Sequence, residues 1–160
     1  MAISQRSFEI TSAEGAGLAC YLAMPDGGSG PGLLLLHDSD GLNDHAKHLA
    51  NLYAEEGWVV ASPDLGQQTD AEFALQLATT ALSALAAVAE TSGDIGVLGH
   101  GPGAGLALLL ASCDVRVRCA VGFTLRICTP VTPPWRASIA RYCCISARTP
   151  RAKRPSCPMN

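Results

Sequence analysis

Residues 94–113 constrain the fold of this 160-residue chain more than any other stretch, and they read DIGVLGHGPGAGLALLLASC. Residues 95–98 are a short apolar run that predicts a buried parallel strand, and residues 106–111 predict a buried helix. Between them, residues 99–105 contain four glycines and one proline. A turn of this composition needs positive φ angles or a close approach of the backbone. The stretch therefore predicts a strand, a sharp turn and a helix.

The same layout is found where a G-x-S-x-G turn holds a nucleophilic serine or cysteine above a sheet, a nucleophile elbow. Here the middle position of the turn is Gly101, which has no side chain to attack a carbonyl carbon. The next residue is Pro102, which has no backbone N–H to donate to an oxyanion. The turn thus predicts the scaffold of a hydrolase site without its attacking atom.

Apolar strand patterns alternate with helical patterns along the rest of residues 1–123. Asn43 predicts the N-cap of a helix that ends at Gly57, and residues 70–91 have the pattern of a long amphipathic helix. Residues 25–32 have the composition of a loop. Strands are predicted at residues 7–11, 18–24, 33–36, 58–61, 95–98 and 115–123. This order predicts an α/β fold with a mostly parallel sheet, in which the first two strands form an antiparallel hairpin.

The composition changes abruptly after residue 123. Residues 1–123 hold 4 Lys and Arg and all 14 Asp and Glu, whereas residues 124–160 hold 7 Lys and Arg and no acid. The second segment also contains 6 of the 10 prolines and 4 of the 7 cysteines. The break predicts a domain at residues 1–123 and an irregular basic tail at residues 124–160 that is not part of the native fold. Our hypothesis for its origin is a truncation of the domain or a shift of the reading frame after Phe123.

The sequence also bounds the partners and the location that we expect. No apolar run approaches the ~20 residues that span a bilayer, and residues 1–10 contain no apolar signal segment. Seven cysteines without a C-x-x-C pair favour free thiols over disulfides or a zinc site. The basic tail lacks interleaved aromatic residues, so we expect no nucleic-acid partner. We therefore predict a cytoplasmic protein with no membrane partner and no cofactor, and we make no prediction of its oligomeric state.

A group of polar residues near the start of the first helix contains metal-ligand types: Asp38, Asp40, His45 and His48. His45 and His48 share a helix face, which is a spacing that metal sites use. Exposed polar residues at the start of a helix explain the same pattern, and we predict no metal.

Three segments, taken in order, resemble the dienelactone hydrolase family, a branch of the α/β-hydrolases that acts on esters and lactones. They are HDSDGLN at residues 37–43, EEGWVVASPDL at residues 55–65 and IGVLGHGPG at residues 95–103. The family has an acidic residue before x-x-Gly-hydrophobic-Asn, then E-G-aromatic leading into a strand that ends in P-D-L, then a V-G-x-C/S-x-G-G elbow. The resemblance covers about residues 7–123 and implies a doubly wound sheet of about eight strands, of which this chain supplies the first six.

The resemblance implies roles for four residues. Gly101 occupies the position of the family's nucleophile, and Asp38 occupies that of an acidic residue that contacts the nucleophile. Ser39 and Pro102 occupy the positions whose amides form the oxyanion hole. These four positions define the predicted site.

The catalytic acid and histidine of α/β-hydrolases follow the nucleophile along the chain. Here the last acid is Asp114 and the last histidine is His100, for which we expect a packing role. We therefore predict a family member that does not hydrolyse its ester or lactone. The alternative is a pseudoenzyme that binds a small ligand or a protein in the cleft between Asp38 and Gly101. A further alternative is a dinucleotide-binding domain, because residues 99–104 match G-x-G-x-x-G/A, although the next strand ends without the expected acid.

Overall fold

The computed structural model describes residues 3–11, 17–66 and 70–123. The predicted tail at residues 124–160 and the turn of the predicted hairpin lie outside the described residues. The elements in chain order are β1 (Ser4–Thr11), β2 (Gly17–Met24), β3 (Gly30–Leu36), α1 (Asp44–Glu55), β4 (Val59–Pro63), α2 (Ala71–Ala87), β5 (Thr91–His100), α3 (Pro102–Cys113) and β6 (Val117–Phe123).

The described strands form one sheet in the order β1-β2-β4-β3-β5-β6. β1 and β2 pair antiparallel from Ser4 opposite Met24 to Thr11 opposite Gly17. β2 also pairs antiparallel with β4, whereas the three remaining pairs, β4–β3, β3–β5 and β5–β6, are parallel. The predicted architecture, a mostly parallel sheet preceded by an antiparallel pair, is confirmed.

Helices cover both faces of the sheet because the central strands bury side chains on both sides. Leu33 and Leu35 of β3 belong to the apolar cluster under α1. Leu34 and Leu36 point to the opposite cluster, which contains the buried residues of α2 and α3. Successive residues of a strand face opposite sides, so the all-leucine run supplies both clusters at once. The sheet is therefore doubly wound, as predicted.

The first two helices begin at side-chain caps. The Asn43 Oδ1 atom accepts a hydrogen bond from the Ala46 N–H at 2.9 Å, which confirms the predicted N-cap of α1. The Asp70 carboxylate caps α2 by accepting from the Glu72 and Phe73 N–H groups. Helix α2 is the longest in the described ranges at 17 residues, and no helix there is long and apolar enough to cross a membrane.

Several element boundaries differ from the prediction, and the start of β3 and the end of α2 show how tertiary pairing outweighs local composition. β3 begins at Gly30 and not at residue 33, since the Gly30 N–H donates to the Glu90 carbonyl at 3.0 Å and joins the sheet. α2 ends at Ala87 and not at residue 91, because Val88 has an extended backbone and the chain enters β5 at Thr91. The loop before β3 is therefore shorter than its glycine content predicts.

Candidate active site

The candidate site lies where the strand order reverses. β3 and β5 are neighbours in the sheet, but the chain leaves β3 towards β4 on one side and leaves β5 towards β6 on the other. The carboxyl ends of two such strands border a crevice, the usual place for a ligand in an open α/β sheet. The segment that begins at His37 leaves the end of β3, and Gly101 follows the end of β5. The topology thus brings the predicted site residues to one crevice.

Gly101 has the backbone conformation of a sharp corner. Its φ is 53° and its ψ is −120°, a region that residues with a side chain rarely adopt. Its N–H donates to the Phe123 carbonyl of β6 at 3.0 Å, and its carbonyl accepts the Ala104 N–H at 3.1 Å. Helix α3 begins directly after it at Pro102, where a missing N–H costs no helix hydrogen bond. The turn predicted from the glycines is therefore present.

The first turn of α3 packs directly on the end of β3. A Cβ atom placed on Gly103 would lie 2.7 Å from the carbonyl oxygens of Leu36 and His37. Real Cβ atoms do not approach backbone oxygens this closely, so a larger residue would push α3 away from the sheet. Gly103 fixes the distance between the corner at Gly101 and the segment that carries Asp38.

The Asp38 carboxylate occupies the space of the missing nucleophile side chain. A Cβ atom placed on Gly101 would overlap Asp38 Oδ1, and it would lie 2.6 Å from Cγ and 3.0 Å from Oδ2. The structure thus brings two of the predicted site residues into direct contact. A side chain at position 101 requires the Asp38 carboxylate to move.

The two predicted oxyanion-hole positions behave differently. The Ser39 N–H donates to the carboxylate Oδ1 of Asp38 at 2.7 Å, so its hydrogen is directed at an acceptor inside the chain. Pro102 lies at the first position of α3 and has no N–H. Of the two predicted oxyanion-hole positions, only Ser39 therefore has an N–H group, and this N–H is bonded to the Asp38 carboxylate.

His37 is a residue of the site to which the sequence assigned no role. Its side chain is 3% exposed, its Nδ1 atom lies 2.7 Å from the Asp38 carbonyl oxygen, and its Nε2 atom accepts the Leu65 N–H at 3.0 Å. A carbonyl only accepts and an amide N–H only donates, so Nδ1 carries the proton and the imidazole is neutral. Asp64 Oδ1, at 3.7 Å from Nε2, is therefore a neighbour and not an ionic partner.

His37 joins the ends of β3 and β4 through these two hydrogen bonds. It fixes the backbone at Asp38 while the Asp38 side chain reaches over Gly101. The signal in the sequence was a histidine directly after four leucines, at the end of a strand buried on both faces. A polar side chain at that place needs internal partners.

His100 precedes the corner and stacks on Phe123 of β6, with ring centroids 5.1 Å apart and an angle of 16° between the planes. Its Nε2 atom is buried and has no hydrogen-bond partner among the described residues. Burial lowers the pKa of His100, the nearby His45 lowers it further, and the Asp38 charge opposes this shift. The imidazole is held neutral against an aromatic ring, and its side chain is directed at the end of β6.

The polar residues near the start of α1 do not converge. Within residues 3–11, 17–66 and 70–123, no three His, Cys, Asp or Glu side chains are placed so that they could hold a metal ion. His45 and His48 are exposed on α1. The described residues of the site are therefore the corner at Gly101 and Pro102, the segment at Asp38 and Ser39, and the imidazoles of His37 and His100 beside them.

The sequence and the fold of this chain are similar to those of known proteins. A sequence model of the dienelactone hydrolase family matches residues 18–134. Among solved structures, a dienelactone hydrolase-like promiscuous phosphotriesterase from metagenomic libraries is 25% identical, with a TM-score of 0.67 over 77% of this chain and 59% of its own. A putative dienelactone hydrolase from Klebsiella pneumoniae is 20% identical, with a TM-score of 0.68 over 76% and 61% of the two chains.

A Pyrococcus furiosus esterase is 22% identical, with a TM-score of 0.63 over 74% of this chain and 50% of its own. The identities of the Klebsiella and Pyrococcus structures support the fold alone. The chain spans about 60% of the length of the first structures that it matches. A comparison with curated protein sequences finds no significant match. Because the family model matches residues 18–134, well over half of the chain, the chain belongs to the dienelactone hydrolase family.

Proposed function

We propose that this chain is a dienelactone hydrolase family member that does not hydrolyse esters or lactones. One observation carries the proposal: the corner after β5 has the geometry to present a nucleophile, and the residue there is Gly101. The family resemblance places a serine or cysteine at this position. Without such a side chain no covalent acyl intermediate forms at the corner.

The oxyanion-hole positions support the same proposal. Pro102 supplies no N–H, and the Ser39 N–H is engaged by the Asp38 carboxylate. Loss of one oxyanion-hole donor lowers kcat by about 10²–10³, and loss of the nucleophile lowers it further. A negatively charged carboxylate at this place also repels the developing oxyanion.

A panel of p-nitrophenyl esters tests the proposal with the full chain. We expect no release of p-nitrophenol above the rate without protein. The matched variant Gly101→Ser also stays inactive, because Pro102 is unchanged and the Cβ of the new serine would overlap the Asp38 carboxylate. Saturable turnover by the unaltered chain would refute the proposal.

The second candidate function is binding without catalysis. It is supported by the crevice between the ends of β3 and β5, which keeps its corner although the attacking atom is absent. A small ester or lactone such as γ-butyrolactone is the probe of choice. A rise in Tm with ligand and no turnover supports a binding protein, whereas an unchanged Tm at saturating probe removes this candidate for that ligand class.

The dinucleotide alternative receives less support from the geometry. A pyrophosphate binds at the N-terminus of a helix after a glycine-rich turn. In this chain the Asp38 carboxylate lies over that turn and would repel it. Measurement of Tm with NAD⁺ tests this alternative, and a clear rise in Tm would favour it.

Location and domain organisation complete the proposal. Cys20, Cys113 and Cys119 are free cysteines in the described part of the chain, which supports a reducing, cytoplasmic setting. We propose that residues 1–123 form the family domain and that residues 124–160 are not part of its native fold, on the basis of the charge break; the family model matches residues 124–134 of this tail as well. Sequencing of the gene tests this: a second frame that encodes family sequence beyond Phe123 supports it, and its absence removes the frame-shift hypothesis.

A further inference from the structure

We propose that the exposed Asp38 side chain occupies the crevice and competes with carbonyl and carboxylate ligands for the one oxyanion-hole N–H that remains. The inference rests on the proposed function, since an occupied amide is compatible only with a site that does not stabilise an oxyanion. It goes further by assigning the occupant and the class of ligand that it excludes. A carbonyl or carboxylate oxygen is the group that would otherwise accept the Ser39 N–H.

Two contacts of the Asp38 carboxylate define its position. On one side, Asp38 Oδ1 accepts the Ser39 N–H at 2.7 Å. On the other, Asp38 Cγ lies 2.6 Å from the point where a Cβ of Gly101 would be. The carboxylate therefore covers both the place of a Cβ at residue 101 and the Ser39 N–H that would bind the oxyanion. A serine or cysteine at position 101 would compete for this space, so the glycine makes the occupied arrangement possible.

The surroundings of Asp38 favour this position of its charge. Among the ion pairs of the described residues, none involves Asp38. The carboxylate lies over the residue that precedes the first turn of α3, a 12-residue helix whose N-terminus carries partial positive charge. His37 holds the Asp38 carbonyl at 2.7 Å, so the backbone is fixed while the side chain extends towards the helix. The amide and the helix end thus take the place of a cationic partner.

The consequence for ligands follows from charge and space. A carbonyl oxygen that accepts the Ser39 N–H must first displace a carboxylate from the same donor, and hydrogen bonds to charged groups are the stronger ones. A carboxylate ligand meets the repulsion of Asp38 in addition. Replacing Asp38 by alanine removes the charge and the competing acceptor. In the variant the Ser39 N–H is therefore free to donate to a ligand, which the unaltered chain does not offer.

The test follows the Ser39 amide by ¹H–¹⁵N NMR in the full chain. In the unaltered protein, the Ser39 amide shift changes as the Asp38 carboxyl is protonated at acid pH. Asp38→Asn abolishes this change, whereas the control Asp40→Asn retains it, because Asp40 is an exposed acid of the same segment without a recorded bond to Ser39. Benzoate is the binding probe, and we expect Asp38→Ala to bind it at least about tenfold more tightly than the unaltered chain.

The outcomes separate this inference from the proposed function. A Ser39 shift that does not respond to pH, or that still responds in Asp38→Asn, overturns the inference and leaves the ester assay untouched. Equal benzoate binding by Asp38→Ala and the unaltered chain overturns it as well. Ester turnover by the unaltered chain refutes the proposed function even where the Ser39 shift behaves as expected. Comparison of Tm values shows whether each variant is folded.

Discussion

Replacing Gly101 by alanine puts a Cβ atom where the backbone and the Asp38 carboxylate both oppose it. The φ of 53° and ψ of −120° at this residue are strained for any residue with a side chain. The same Cβ would overlap Asp38 Oδ1 and lie 2.6 Å from Cγ, so the carboxylate must turn away and lose the Ser39 N–H. Asp38 is exposed, and its side chain is free to make this movement.

The two costs have different sizes. Backbone strain of this kind costs about 1–3 kcal/mol, and loss of an exposed hydrogen bond costs about 0.5–1 kcal/mol. Together they lower the free energy of unfolding by about 1.5–4 kcal/mol. For a domain of this size the Tm falls by about 4 °C for each kcal/mol, so we expect a fall of about 6–16 °C.

Urea unfolding of a double-mutant cycle separates the cost of the backbone strain from the cost of the lost hydrogen bond. The variants are Gly101→Ala, Asp38→Ala and their combination, with Gly105→Ala as the matched control. A Cβ at Gly105 in α3 meets no atom within 4 Å, so that change raises stability by about 0.5–1 kcal/mol. The overlap predicts a coupling of about 0.5–1 kcal/mol between positions 38 and 101. A neutral or stabilising Gly101→Ala, or additive effects within about 0.3 kcal/mol, would refute the reasoning.

Three further predictions concern His37, His100 and Cys20. His37→Leu leaves the buried Leu65 N–H unpaired and lowers the free energy of unfolding in urea by about 1–3 kcal/mol. His37→Gln retains an acceptor and lowers this free energy less, so an equal decrease in the two variants would contradict the role of Nε2. Burial lowers the pKa of His100 in the folded chain, so the unfolded chain binds a proton at this imidazole more readily than the folded chain does. The contribution of His100 to the free energy of unfolding is therefore complete above the ordinary pKa of 6.5 and is lost as the pH decreases below it. His100→Phe therefore weakens the fall in Tm between about pH 7.5 and about pH 5.5, and an unchanged slope would contradict this. Burial raises the pKa of Cys20 to about 12, so native-state alkylation followed by peptide mass analysis labels the exposed Cys113 and spares Cys20; labelling of both at one rate would show that the core opens.

The order of elements and the place of the crevice could be predicted from the sequence because both follow from strong local patterns. The leucine run specifies the buried strand β3, and the glycine turn marks the end of the buried strand β5. Parallel strands bring their carboxyl ends to one edge of the sheet, which places the crevice. Asn43 capped its helix because the N-cap preference is local. For the same reason Gly101 could be placed at the corner before any contact was known.

The contacts inside the crevice could not be predicted in this way. The two hydrogen bonds of His37 depend on Leu65, 28 residues further on, which arrives only when β4 pairs beside β3. The position of the Asp38 carboxylate depends on a side-chain rotamer and on the space left by Gly101. The early start of β3 at Gly30 depends on pairing with the segment before β5. Each of these features needs tertiary contacts that sequence periodicity does not report.

The central claim is that a hydrolase corner is present in this chain and that its attacking group is absent. The most direct measurement is the intact mass of the full chain after incubation with a fluorophosphonate, which forms a covalent bond to an activated serine. The account predicts an unchanged mass, because Gly101 offers no hydroxyl at the corner and the Asp38 carboxylate fills the space above it. Addition of one phosphonyl group per folded chain would contradict it, if a sample that is denatured before labelling gains no such mass.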